Sequence, residues 1–152
     1  MSDIVVETVK LEPQAAMVVR CKVAVQELGG VLGDILPRVY RHIVQAGQQP
    51  AGMPFMRYFS MDGVSCDIAA GLPVAQPIAG EGDIENHTLP GGEALTALHV
   101  GAYEEVGPVW SQVMRRAGEL GSEHRFGGWD VYTNDPDEVA EEERETRVYL
   151  PL

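Results

Sequence analysis

The sequence predicts an α+β fold built from two tandem, pseudo-symmetric βαββ units, forming an antiparallel sheet system with two long helices on one side and a ligand cleft between the halves. Three observations predict it: an apolar pattern that recurs at a fixed interval, an amphipathic helical stretch after a strand-like run in each half, and a pair of strand-like segments after each helix. At 152 residues and 45% hydrophobic content, the chain suits one packed domain over residues 1–152.

The first strand is Met17–Val25, MVVRCKVAV, a dense run of β-branched residues. Gln26–Val39 follows with apolar side chains at Leu28, Leu32, Ile35, Leu36 and Val39, the spacing of a one-faced helix that closes near Gly47. Pro37 sits inside that pattern and predicts a kink or an irregular first turn, because it gives no N–H to the helical ladder. Gly52–Asp62 reads as an aromatic strand and Cys66–Val74 as a closing strand that ends on Leu72-Pro73. The half-repeats span about 16–76 and 92–152. The linker at 77–91 is rich in Gly, Pro and acidic residues and holds a short strand around Asp83–His87.

The same order then returns. Ala94–Val100 is a strand, and Glu104–Ala117 carries Val106, Trp110, Val113, Met114 and Ala117 on one helical face, closing near Gly121. The apolar set has moved by 78 positions (28 to 106), and the strand-ending Leu-Pro pair moves by the same amount, from Leu72-Pro73 to Leu150-Pro151. Gly127–Asp135 is the second aromatic strand, Asp135–Glu145 an acidic, solvated loop, and Thr146–Leu152 the last strand. Leu32, Ile35, Trp110, Val113, Val148 and Leu150 are the expected deep core.

Charge and motifs exclude several classes. A net charge of −12, from 11 basic and 23 acidic residues, opposes direct nucleic-acid binding, which depends on Lys and Arg at phosphates. It mildly favours cationic ligands. No apolar run is long enough to span a membrane and the N-terminus carries no secretory pattern, so a cytoplasmic location is expected. Cys21 and Cys66 lie in apolar strand-like runs without metal or redox spacing. His42, His87, His99 and His124 are scattered, and GxGxxG, phosphate-loop and GxSxG patterns are absent, so neither a metal nor a cofactor is expected.

Strand alternation selects the expected site. With Val148 and Leu150 turned to the helices, Arg147 and Tyr149 face the other way. The same reasoning makes Trp129, Val131 and Phe55 helix-side residues and turns Asp130, Tyr132, Met56 and Tyr58 outward, with Ile68 and Leu72 inward against Asp67 and Ala69 outward. Joining the two outward faces gives a cleft lined by Met56, Tyr58, Asp130, Tyr132, Arg147 and Tyr149, with Tyr103 at its rim. Aromatic walls around few charges suit a small organic guest, and a carboxylate among tyrosines suits a cationic, planar one. The alternative is that the tyrosines merely cover the sheet.

The stretches LPGGEALTALHVGAYEEVG (Leu89–Gly107), GGWDVYTNDPDEV (Gly127–Val139), TRVYLPL, PFMRYFSMD and DIAAGLPV resemble the GyrI-like, AraC-type effector-binding domain across roughly residues 4–152. The resemblance implies paired βαββ units with a ligand cleft on their joint axis. It also implies a sensor or sequestering role, and among relatives an inhibitor of DNA gyrase and hydrolases of cyclopropane-containing toxins. The family usually places Glu where this chain has Asp130, and often Glu where it has Arg147, so the two side chains are expected to pair. No helix-turn-helix fits in the first 15 residues, which implies a standalone module or a fragment of a regulator. The leading expectation is a small-molecule binding domain. The alternatives are a hydrolase using Asp130 with Glu104 or Glu105, and a module that docks on DNA gyrase or the transcription machinery.

Overall fold

The computed structural model describes residues 4–122 and 126–152. Eight strands and two helices alternate along them: β1 Glu7–Leu11, β2 Gln14–Ala24, α1 Leu28–Gln45, β3 Phe55–Met61, β4 Ser65–Pro73, β5 Ile84–Leu89, β6 Gly92–Val100, α2 Gly107–Glu119, β7 Trp129–Tyr132 and β8 Glu145–Pro151. A 3₁₀ turn precedes each helix, at Val25–Glu27 and Tyr103–Glu105. All strand pairings are antiparallel, in one curled sheet of order β1-β6-β8-β7-β3-β4-β2-β5.

The two halves meet edge to edge through β3 and β7, with Met56 opposite Asp130 at the middle of that three-pair ladder. On either side the registers match. Ala16 opposes Pro73 in the β2–β4 ladder as Ala94 opposes Pro151 in β6–β8. The outermost strands cross over: β1 pairs with β6 and β5 with β2, so each half is edged by a strand that precedes the other half. Strand β1 escapes the sequence reading because ETVKL is short and half polar, as an edge strand tends to be.

Both helices lie on one face of the sheet. Val31, Ile35, Val39 and Ile43 of α1 pack on Met17, Val19, Ile68 and Leu72, and Val109, Val113 and Ala117 of α2 pack on Leu95, Ala97, Val148 and Leu150. This corrects the expected helix phase. Leu28, Leu32 and Leu36 are half-buried on the flank of α1, as Val106, Trp110 and Met114 are on α2. Compact Val, Ile and Ala side chains let each helix approach the sheet, and the longer ones splay sideways. Deep burial of Leu32 and Trp110 is therefore not observed, whereas Ile35, Val113, Val148 and Leu150 are buried as expected. The helix runs unbroken through Pro37, and the irregular turn lies before it, at Val25–Glu27. Past the helix ends, Gly47 and Gly121 take φ of +85° and +82°, the left-handed conformation of a helix C-terminus.

A second correction concerns the aromatic strands. Phe55 and Trp129 are buried on the face away from the helices, together with Ala16, Val18, Ala69 and Leu89, and Val131 packs with them. Met56 and Tyr132 point under the helices instead. Alternation gives a unique answer only when one face of a strand is clearly polar, and in β3 and β7 each face carries large apolar or aromatic side chains with polar ones among them. The helix-side assignments of Ile68, Leu72, Val148 and Leu150 stand.

Candidate functional site

The continuous β3–β7 pairing carries Asp130 to the centre of the helix-bearing face, between the flanks of α1 and α2. The side chain is 2% exposed. Tyr58 Oη donates to Oδ2 at 2.6 Å and Trp110 Nε1 donates to Oδ1 at 2.7 Å, so each carboxylate oxygen holds one donor. Tyr58 meets the Trp110 ring edge-on, with centroids 6.3 Å apart. The indole fits because residue 128 is glycine: a Cβ there would stand 2.7 Å from Trp110 Cη2. Tyr132 continues the aromatic wall and meets Tyr103, in the turn ahead of α2, at 5.1 Å between centroids.

Burial raises the Asp130 pKa to about 6, while the hydrogen bonds from Tyr58 and Trp110 and the nearby His99 pull it down. Tyr58 and Tyr132 are pushed well above the usual phenol range, first by burial and then by the Asp130 charge, so they remain neutral donors. The result is a covered carboxylate whose solvation comes from two aromatic N–H and O–H groups. It is equipped to stabilise a positive charge or an N–H donor that reaches it.

Of the seven side chains expected to line the site, Met56, Tyr58, Tyr103, Asp130 and Tyr132 come together. Arg147 and Tyr149 do not. Asp130 opposes Val148 while Val131 opposes Arg147, which puts Arg147 on the far face. There its Nη1 donates to Thr96 Oγ1 at 3.3 Å, and Tyr149 stacks on Trp129 with centroids 5.6 Å apart. The expected Asp130–Arg147 pair is thus excluded by the pleat of the sheet. The five remaining residues converge under the helices, not between two outward faces. Trp110 is the site residue that sequence reading assigned to the core. An indole N–H on a half-polar helix flank was the available signal, since a buried one needs an acceptor.

Glu104 and Glu105 are exposed in the 3₁₀ turn. His99 is buried, with Nε2 at 2.8 Å from the Ala102 carbonyl oxygen. His42 and His87 lie elsewhere, His42 beside Ala79 and His87 against Arg57, and His124 falls outside the described residues. Among the described residues no cluster of three or more His, Cys, Asp or Glu could hold a metal ion, and no helix is long and apolar enough to cross a membrane. Cys21 and Cys66 are free thiols.

Comparison with known proteins follows the same lines. The family described as GyrI-like small molecule binding domain matches residues 5–152. Among solved structures, the EcmrR C-terminal domain is similar with a TM-score of 0.80 at 15% identity, covering 97% of this chain and 96% of that one. EcmrR in complex with DNA gives a TM-score of 0.83 at 16% identity, covering 97% of this chain, which spans only 57% of the length of EcmrR there. SAV2435 bound to tetraphenylphosphonium gives 0.62 at 13% identity, covering 99% and 93%. A structure described as a hydrolase from Listeria innocua gives 0.60 at 14% identity, covering 96% and 90%. A search of curated protein sequences finds no match.

Proposed function

The chain belongs to the GyrI-like small molecule binding domain family, and from that premise we propose that it binds a cationic, planar or aromatic organic molecule at Asp130 and acts in the cytoplasm as a sensor or sequestering protein. The observation that carries this reading is the Asp130 carboxylate, 2% exposed and held by Tyr58 and Trp110 among aromatic rings. A lone buried carboxylate costs folding free energy, and a cationic guest offsets that cost. Met56, Tyr103 and Tyr132 supply the walls. The matched ladders support reading the halves as repeats of one unit, with the ligand on their joint axis. SAV2435 bound to tetraphenylphosphonium, on the same fold, agrees with a cationic guest. Binding is favoured over hydrolysis because Glu104 and Glu105, the carboxylates a hydrolytic reading would join to Asp130, stand exposed in the turn ahead of α2 while Asp130 is buried.

Calorimetric titration with tetraphenylphosphonium tests the proposal. The parent should bind, and Asp130→Asn should lose about 1–3 kcal/mol, the worth of a charged contact. Equal affinity of the two proteins would remove Asp130 from the site.

A further inference from the structure

The matched ladders put different chemistry at corresponding positions of the helix-bearing face. In the first half Tyr58, Ile68 and Cys21 stand side by side across β3, β4 and β2. In the second half the same row is Tyr132, Thr146 and His99 across β7, β8 and β6. Beside these rows the central pair is Met56 against Asp130. One side of the site is therefore oily beyond its tyrosine, and the other carries a hydroxyl, an imidazole and the carboxylate.

The polar side also holds an unfilled demand. Tyr103 Oη, Arg144 Nε and Thr146 Oγ1 are buried side-chain atoms without a hydrogen-bond partner among the described residues, and their residues neighbour one another through Tyr132 and the Tyr103 ring. Thr146, 1% exposed, stands opposite Tyr132 in the ladder. The Tyr103 ring contacts Tyr132, and the Arg144 guanidinium lies 5.4 Å from the Tyr103 ring centroid. The imidazole of His99 is already engaged at Ala102. Buried polar groups without partners are rare in folded chains, because each has given up water for nothing. Three in one corner of a ligand site point to a group that arrives with the ligand. An Arg N–H, a phenol and a Thr hydroxyl can all donate, so their complement is an oxygen acceptor.

We propose that this corner is a second polar subsite, which takes a carbonyl or carboxylate oxygen of a ligand whose cationic or N–H-bearing group sits at Asp130. The inference rests on the binding function proposed above. The ligand is then bipolar and asymmetric, with its polar groups toward the second half and its apolar body over Met56, Leu32 and Ile68. The half-buried Tyr103, in the turn ahead of α2, stands at the entrance to the subsite.

A matched pair of probes isolates the subsite: (4-benzoylbenzyl)trimethylammonium, and its (4-benzylbenzyl) analogue in which the ketone is a methylene. Affinities of the parent, Thr146→Val and Tyr103→Phe are measured by calorimetry, with tetraphenylphosphonium as a third ligand. The parent should prefer the ketone by about tenfold, and each variant should cut that preference by roughly fivefold, the worth of one hydrogen bond, while the methylene probe stays within about twofold. Thr146→Val should also melt at or above the parent temperature, since a methyl group replaces an unpartnered hydroxyl. A purely structural role would weaken both probes alike, and that result overturns the subsite. So does a parent without ketone preference that still binds tetraphenylphosphonium, which leaves the function at Asp130 standing. A parent that binds none of the three overturns both. Should Thr146→Val fail to fold, Tyr103→Phe decides alone, by the same criteria.

Discussion

Asp130 makes stability depend on pH in a direction opposite to that of most carboxylates. Burial raises its pKa in the folded chain to about 6 from the ordinary carboxylate value of 3.8. Between those values the folded protein keeps a proton that the unfolded chain has released. The contribution of this group to stability is thus complete below about pH 4, falls as pH rises through the interval, and is flat above about pH 6. A shift of about two units at ~1.36 kcal/mol each makes the ionised form cost about 3 kcal/mol at neutral pH. Asn has nearly the same shape, and its amide oxygen can still accept from Trp110, but it carries no charge to desolvate. Asp130→Asn should therefore gain about 3 kcal/mol relative to the parent between pH 4 and pH 7, or roughly 6–12 °C in melting temperature for a chain of this size. The assay is thermal unfolding of both proteins from pH 3.5 to 8, read as the difference between them. Asp62, Asp67 and Asp83 have lowered pKa values from their own hydrogen bonds, and their opposite slope cancels because both proteins contain them. A difference that stays constant from pH 4 to pH 7 would refute the reasoning, since it would mean that Asp130 titrates normally.

Removing one donor should push Asp130 further: in Tyr58→Phe the carboxyl should titrate above 6, shifting upward the pH midpoint at which Trp110 emission responds, whereas an unchanged midpoint would show that the Tyr58 bond contributes nothing. Arg147→Ala should change tetraphenylphosphonium affinity by less than about twofold, because Arg147 lies across the sheet from Asp130 and solvent screens what remains; tighter binding would restore the discarded pair. Ile43→Ala, at a fully buried position under α1, should cost about 2–5 kcal/mol in urea unfolding. Tyr40→Ala, at the half-exposed Tyr40 of the same helix, should cost under about 1 kcal/mol. Equal losses at the two positions would contradict the assigned helix phase.

The sequence by itself determined the order of elements from β2 onward, because each signal is local: apolar runs for β2, β4, β6 and β8, a 3.6-residue rhythm for α1 and α2, and glycine at the helix ends. It also determined the chemistry available for a site, since few charged residues stand among aromatic ones and Asp130 is one of them. Only the tertiary structure decided which face each aromatic strand presents. With Phe55 apolar on one side and Met56 on the other, local alternation is silent, and the edge-to-edge joining of β3 to β7 settles the question by turning Asp130 and Tyr58 under the helices. The register of β8 on β7 separated Arg147 and Tyr149 from the site, because a pleated strand sends neighbouring residues to opposite faces and Val148 is the residue that stands opposite Asp130. The recruitment of Trp110 was likewise out of reach of periodicity, which marks an apolar stripe without saying which edge of it overhangs the gap between two helices. Pairing partners and helix packing are long-range contacts, and a pattern within one segment holds no information about the segment it will meet.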